Sequence, residues 1–108
     1  MLNIFTLTTN KLVEHLKSGQ ISSVEVCNQY IERIEKFEKD VKAWEYFDKK
    51  KLLEKAAEAD EHRKSGKPLG SLHGLPIAVK DIIGTFEMPT ECGSPVRKKM
   101  PSSQDSEV

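Results

Sequence analysis

Cysteine is scarce in this chain, with only Cys27 and Cys92 among 108 residues. Two thiols so far apart build neither a disulfide framework nor a ligand-spaced metal site, and they fit a reducing, cytoplasmic location. Aromatic residues are also few, at 6%, and neither sign of charge is in excess, since 17 basic residues face 17 acidic ones. A formal charge of zero gives no global field to draw nucleic acid or an anionic membrane, so direct binding to either is not expected. Long apolar runs are missing too. No window approaches a membrane span, and Met1-Leu2-Asn3-Ile4-Phe5 lacks the basic start and apolar core of a signal peptide. His15, His62 and His73 are too scattered for a metal motif. Gly70-x-x-x-Gly74 lacks the lysine and Ser/Thr of a phosphate loop. The expectation is therefore a site without metal or cofactor.

What the chain does have is charge, at 31% of residues, arranged with helical periodicity over its first half. Leu7-Thr8-Thr9-Asn10 offers caps ahead of Leu12, Val13 and Leu16, and Gly19 is placed to stop a helix over 9–18. Ser22 and Glu25 have the spacing of a capping box. Val24, Cys27, Ile31 and Ile34 then recur on one helical face, which predicts a second helix to about Phe37 with Cys27 as a small core residue. Residues 41–47 lose that period and gather three aromatics, which predicts a strand used for core packing. Asp48 caps an alanine-rich, charged third helix to Arg63, whose thin stripe is Leu52, Leu53, Ala56 and Ala59 or Asp60. Ser65-Gly66 ends it.

Between Gly66 and Pro95 lie five of the six glycines and four of the five prolines. Such density marks a chain whose path is shaped rather than merely connecting. Within it runs one apolar stretch, Leu75 to Ile83, interrupted by Lys80 and Asp81. Ile77-Ala78-Val79 is consistent with a short buried strand, though a helical segment fits as well. On a strand, Lys80 shares a face with Ala78. Burial there disfavours an ammonium ion, and a neutral lysine amine is a competent general base. The plainer alternative has Lys80 ending the strand, reaching water and pairing with Asp81.

Leu72-His73-Gly74-Leu75-Pro76-Ile77-Ala78-Val79-Lys80-Asp81, followed by Met88-Pro89-Thr90 and Gly93-Ser94-Pro95, closely resembles the first block of the amidase signature family. The resemblance spans essentially the whole chain. It implies an α/β fold in which helices pack on a mixed sheet, and a Ser-cisSer-Lys triad that cleaves carboxylic amides. The family's lysine corresponds to Lys80. Its two serines lie further along, in a glycine- and serine-rich stretch that this sequence does not contain. The resemblance thus divides the chain into a helix-rich segment, 1–66, and the start of the catalytic core, 67–108. It also implies a small amide substrate for a full-length protein and no turnover by this segment alone. A close alternative is the A (glutaminase) subunit of a tRNA-dependent amidotransferase, which works with partner subunits. A non-catalytic remnant is a third.

His73 could in principle serve Ser71, Ser94 or Cys92 in a site of its own, but no acidic residue is specified to orient it. Gly93-Ser94-Pro95 reads better as a tight turn. Pro101 to Val108 looks like a helix entry, with Ser102 or Ser103 as cap, and a start signal without its helix suggests a piece of a longer protein.

Overall fold

The computed structural model describes residues 2–98 and 104–107. After a single 3₁₀ turn over Ile4–Thr6 come three α-helices, α1 (Thr9–Ser18), α2 (Ser23–Val41) and α3 (Lys49–Lys64), and a second 3₁₀ turn over Pro95–Arg97. The chain divides into two compact units, one comprising Met1–Lys42 with Asp48–Pro76, the other Ala43–Phe47 with Ile77–Val108. The expected boundary after Gly66 falls within the first of these.

The helical unit starts and stops where its side chains dictate. Thr8 Oγ1 accepts from the Lys11 N–H at 3.3 Å, and Gly19 ends α1 in the left-handed region at φ 80°. Asp48 caps α3 by accepting from the Lys51 N–H at 3.0 Å. The expected capping box is present on α2, with Glu25 N–H donating to Ser22 Oγ at 3.0 Å and Ser22 N–H to Glu25 Oε2 at 2.8 Å.

α2 has a further lock. Asp60, on α3, is buried and turns its carboxylate onto the same helix start, accepting from Ser23 N–H at 2.7 Å and Val24 N–H at 3.1 Å. A helix leaves its first N–H groups without intrahelical partners, and burying them unpaired is expensive. Here four consecutive donors, from Ser22 to Glu25, all have side-chain acceptors. The negative carboxylates also oppose the positive end of the helix dipole. α3 packs along α2 from this point.

The core of this unit is Ile4, Leu12, Leu16, Ile21 and Val26, with Leu7, Tyr30 and Leu75 packed against it. Gln29 ties the N-terminal turn to α2 by accepting from Ile4 N–H and donating to the Leu2 carbonyl. Because α2 meets both α3 and the N-terminal segment, its buried face is wider than one stripe. Val26, absent from the expected stripe, is fully buried, whereas Val24 and Ile34 are only half-buried.

The end of α2 and the expected strands are corrected. α2 does not stop at Phe37 but runs to Val41, where Lys42 caps it at φ 52° and donates its N–H to Glu38 at 2.8 Å. Residues 41–47 therefore form no strand; Trp44 and Phe47 pack ring to ring at 6.0 Å on irregular chain. The described residues contain no strand at 77–79 either, and Ile77 and Ala78 are exposed. An extended segment becomes a strand only when a neighbour completes its hydrogen-bond ladder, and no such ladder is formed among the described residues. The mixed sheet is thus not formed by the described residues, whose one β-type pairing is a bridge between Thr85 and Met88. The expected helix caps Ser102 and Ser103 lie outside the described residues.

Asp60→Ala should lower stability by about 2–4 kcal/mol, since it strands two buried donors, with Asp60→Asn losing less because one acceptor remains. Urea unfolding followed by helical circular dichroism reads this, and a loss below about 0.5 kcal/mol would show that the carboxylate is dispensable. Glu25 titrates below the ordinary carboxylate range because Ser22 N–H, and then its hydroxyl, favour the ionised form. A carboxylate lowered in the folded state stabilises above its unfolded value of about 4.3 and loses that contribution as pH falls through the folded value. Acidification below about pH 4 should therefore destabilise the native chain more than Glu25→Gln, and parallel pH profiles would contradict this.

Candidate functional site

The turn-rich stretch after α3 is held by backbone and side-chain hydrogen bonds. Within the helical unit, His62 Nε2 donates to the Pro68 carbonyl at 3.0 Å and its ring lies 5.8 Å from that of His73. Turns over 70–73 and 72–75 follow, closed by His73 N–H to Gly70 and Leu75 N–H to Leu72. Gly74 then adopts φ 74°, and its carbonyl accepts from Ser23 Oγ at 2.6 Å. Ser23 thus uses its N–H on Asp60 and its hydroxyl on Gly74. A Cβ on Gly74 would meet the Ser23 Cβ at 3.4 Å and Leu16 Cδ2 at 3.5 Å, ordinary contact distances, so the need for glycine is conformational rather than steric.

A shallow cavity of about 180 Å³ opens beside this turn, lined by Ser23, Cys27, Leu52, Ala56 and Leu75 among others. Cys27 is buried, as expected, and burial holds its thiol above the ordinary range against a weaker opposing hydrogen bond from Ser23. A thiol kept protonated in this way is a poor nucleophile.

In the second unit Lys80 is exposed and Asp81 half-buried. A turn closed by Ile83 N–H to the Lys80 carbonyl at 3.0 Å sets the lysine's backbone. Asp81 does not serve as the lysine's counter-ion. Its carboxylate accepts from Glu91 N–H and its carbonyl from Cys92 N–H, both at 2.9 Å, so it fastens the lysine-bearing chain to the Met88–Cys92 arm. That arm turns sharply at Cys92 and Gly93, both left-handed at φ 53° and 70°, and closes with Ser94 N–H on the Glu91 carbonyl at 3.0 Å. The expected tight turn is present, one residue earlier than read. Gly84 and Phe86 are held in turn by Ser106 N–H and the Asp105 carboxylate.

In sequence, Lys80 lies between two residues that are each anchored within their own unit. Gly74 is fixed to the start of α2 on one side and Asp81 to residues 91–92 on the other. His73 is paired in space with His62, and no three His, Cys, Asp or Glu residues gather in metal-binding geometry among the described residues. Asp60 and Ser23 are the residues that sequence reading undervalued. The available sign was a carboxylate at the Asp60 position of the apolar stripe on α3.

The family model described as Amidase matches residues 25–108. The A subunit of the glutamyl-tRNA(Gln) amidotransferase of Leptospira interrogans is 43% identical over 86 residues, which cover 80% of this chain and 18% of that protein. The protein of the same name from Renibacterium salmoninarum is 35% identical over 108 residues, covering 100% of this chain and 21% of its own length. Among solved structures, one described as a vestigial protein complex that reveals the evolutionary origins of an s-triazine catabolic enzyme superposes with a TM-score of 0.82 at 26% identity, covering 93% of this chain and 22% of that one. The chain belongs to the amidase signature family. It spans about a fifth of the length of the relatives it matches. No helix among the described residues is long and apolar enough to cross a membrane.

Gly74→Ala forces an L-residue into the left-handed region, which costs about 1–2 kcal/mol. The loss should appear in urea unfolding, and an unchanged midpoint would mean that the turn relaxes freely.

Proposed function

We propose that this chain supplies the lysine-bearing part of an amidase-type hydrolase, with Lys80 as the base of a Ser-cisSer-Lys triad whose serines come from the remainder of the fold. The observation that carries the reading is the family match across 25–108, which takes in the Gly74-to-Asp81 block and the arm that Asp81 fastens. In that mechanism the neutral amine of Lys80 takes a proton through the bridging cis-serine. The nucleophilic serine then attacks the amide carbonyl, the leaving amine is protonated and departs, and water hydrolyses the acyl-enzyme. Joining the remainder of the fold would also convert 77–80 into a strand, placing Lys80 in the mixed sheet that the family resemblance implies. The substrate is a small carboxylic amide, the cytoplasm is the setting, and neither metal nor cofactor is required.

A second reading is favoured by the names of the relatives, which are amidotransferase A subunits. In it the same chemistry releases ammonia from glutamine for partner subunits. Restoring the serine-bearing portion by fusion separates the two: hydrolysis of simple amides by the lone restored chain supports the first, and glutamine hydrolysis that depends on added partner subunits supports the second. In either case Lys80→Ala should reduce turnover at least about 100-fold, the usual scale of general-base catalysis. Retained turnover in that variant, or Lys80-dependent turnover by the unextended chain, would remove the reading.

A further inference from the structure

Lys80 and Asp81 are neighbours of opposite charge, yet Asp81 is used for something other than pairing. Its carboxylate accepts from Glu91 N–H and its main-chain carbonyl from Cys92 N–H, each at 2.9 Å, so two successive amides of the arm converge on one half-buried residue. The Lys80 carbonyl is taken too, by Ile83 N–H at 3.0 Å. The main chain of both residues and the side chain of Asp81 are therefore held within one unit. The arm is bent to deliver its two amides. Cys92 lies in the left-handed region at φ 53°, which a residue with a side chain resists, and Ser94 N–H on the Glu91 carbonyl closes the turn. Such a conformation persists where its surroundings over-determine it, and Asp81 is among those surroundings.

The chemistry asked of the lysine shows why this use of the carboxylate matters. A negative group beside an amine favours the ammonium form, whereas a general base needs the neutral one. A carboxylate engaged by a main-chain N–H is not offered to the lysine, and among the described residues Lys80 has no ion-pair partner. We propose that Asp81 is a positioning residue for Lys80, acting through the geometry of its Oδ1 acceptor on Glu91 N–H and not through its charge. The inference rests on the proposed role of Lys80 as the general base. Placement of such a base weighs heavily, since a displacement of about 1 Å can cost about 100-fold in rate.

Three substitutions separate geometry from charge. Asp81→Asn keeps an oxygen for Glu91 N–H without the charge, Asp81→Glu keeps the charge one methylene too far out, and Asp81→Ala keeps neither. They are compared in the serine-restored fusion, with benzamide as probe for the fusion alone and glutamine as probe when partner subunits are added. The expected result is a kcat within about threefold of the parent for Asp81→Asn and about 10- to 100-fold lower for Asp81→Glu and Asp81→Ala, with KM moved less than about threefold in all. The acid limb of the pH–rate profile should coincide in the parent and Asp81→Asn. A Glu variant more active than the Asn variant, an acid limb that moves in Asp81→Asn, or equal losses in Asp81→Asn and Asp81→Ala overturns the inference. A second readout needs no catalysis. In the intact chain, amide exchange at Glu91 should be faster by at least about tenfold in Asp81→Ala and within about threefold of the parent in Asp81→Asn, and equal rates in all three chains overturn the inference. Lys80→Ala separates this proposal from the catalytic one. Turnover retained in Lys80→Ala, or a fusion that hydrolyses neither probe, removes the catalytic reading and this inference with it, whereas a Lys80-dependent enzyme indifferent to Asp81→Ala removes the inference alone.

Discussion

The grip of Asp60 on the start of α2 is the contact from which the rest of the helical unit is built. Its carboxylate satisfies Ser23 and Val24 N–H groups that are otherwise stranded in the interior, and in doing so fixes α3 against α2. A buried carboxylate without partners would be heavily destabilising, so the pairing constrains both elements at once. Ser23 extends the constraint, because the residue whose N–H is held by Asp60 offers its hydroxyl to the Gly74 carbonyl. The point where the lysine-bearing chain departs is therefore specified by a helix start more than fifty positions earlier in sequence.

Beyond Pro76 the physics changes. The helical unit is held by apolar burial, while the second unit is held by hydrogen bonds at turns, with Asp81 engaging both Glu91 and Cys92. Hydrogen bonds that exchange protein for water contribute modestly to stability, and this unit buries no large apolar side chain among its described residues. Among the described residues, the part that carries Lys80 leaves Ile77, Ile82, Phe86 and Val96 exposed.

The helices were largely legible because their signals are local. Thr8, Gly19, the Ser22–Glu25 box and Asp48 act within a few residues of where they sit, and each does what its spacing implies. The family was legible from the block around Gly74 to Asp81. What could not be read locally is what depends on partners distant in sequence. Asp60 caps a helix from within another one, and its carboxylate on the apolar stripe of α3 marks the position as unusual without indicating which helix it serves. Val26 is buried because a second element covers α2. The strands misled for the opposite reason: apolar and aromatic runs at 41–47 and 77–79 state a propensity that only a pairing neighbour can realise. Glu38-Lys39-Asp40 carries no apolar periodicity, so the last turn of α2 gives no signal of its own although nothing in it opposes helix.

The central claim is that the helical unit has an apolar core of its own, whereas the unit that carries Lys80 is held by hydrogen bonds at its turns. Amide hydrogen exchange on the intact chain tests this most directly, because it reads local opening residue by residue. The account predicts strong protection through α2 and α3, including Ser23 and Val24, and protection near 77–98 weaker by orders of magnitude. Protection of 77–98 equal to that of α2 in the chain alone would contradict it.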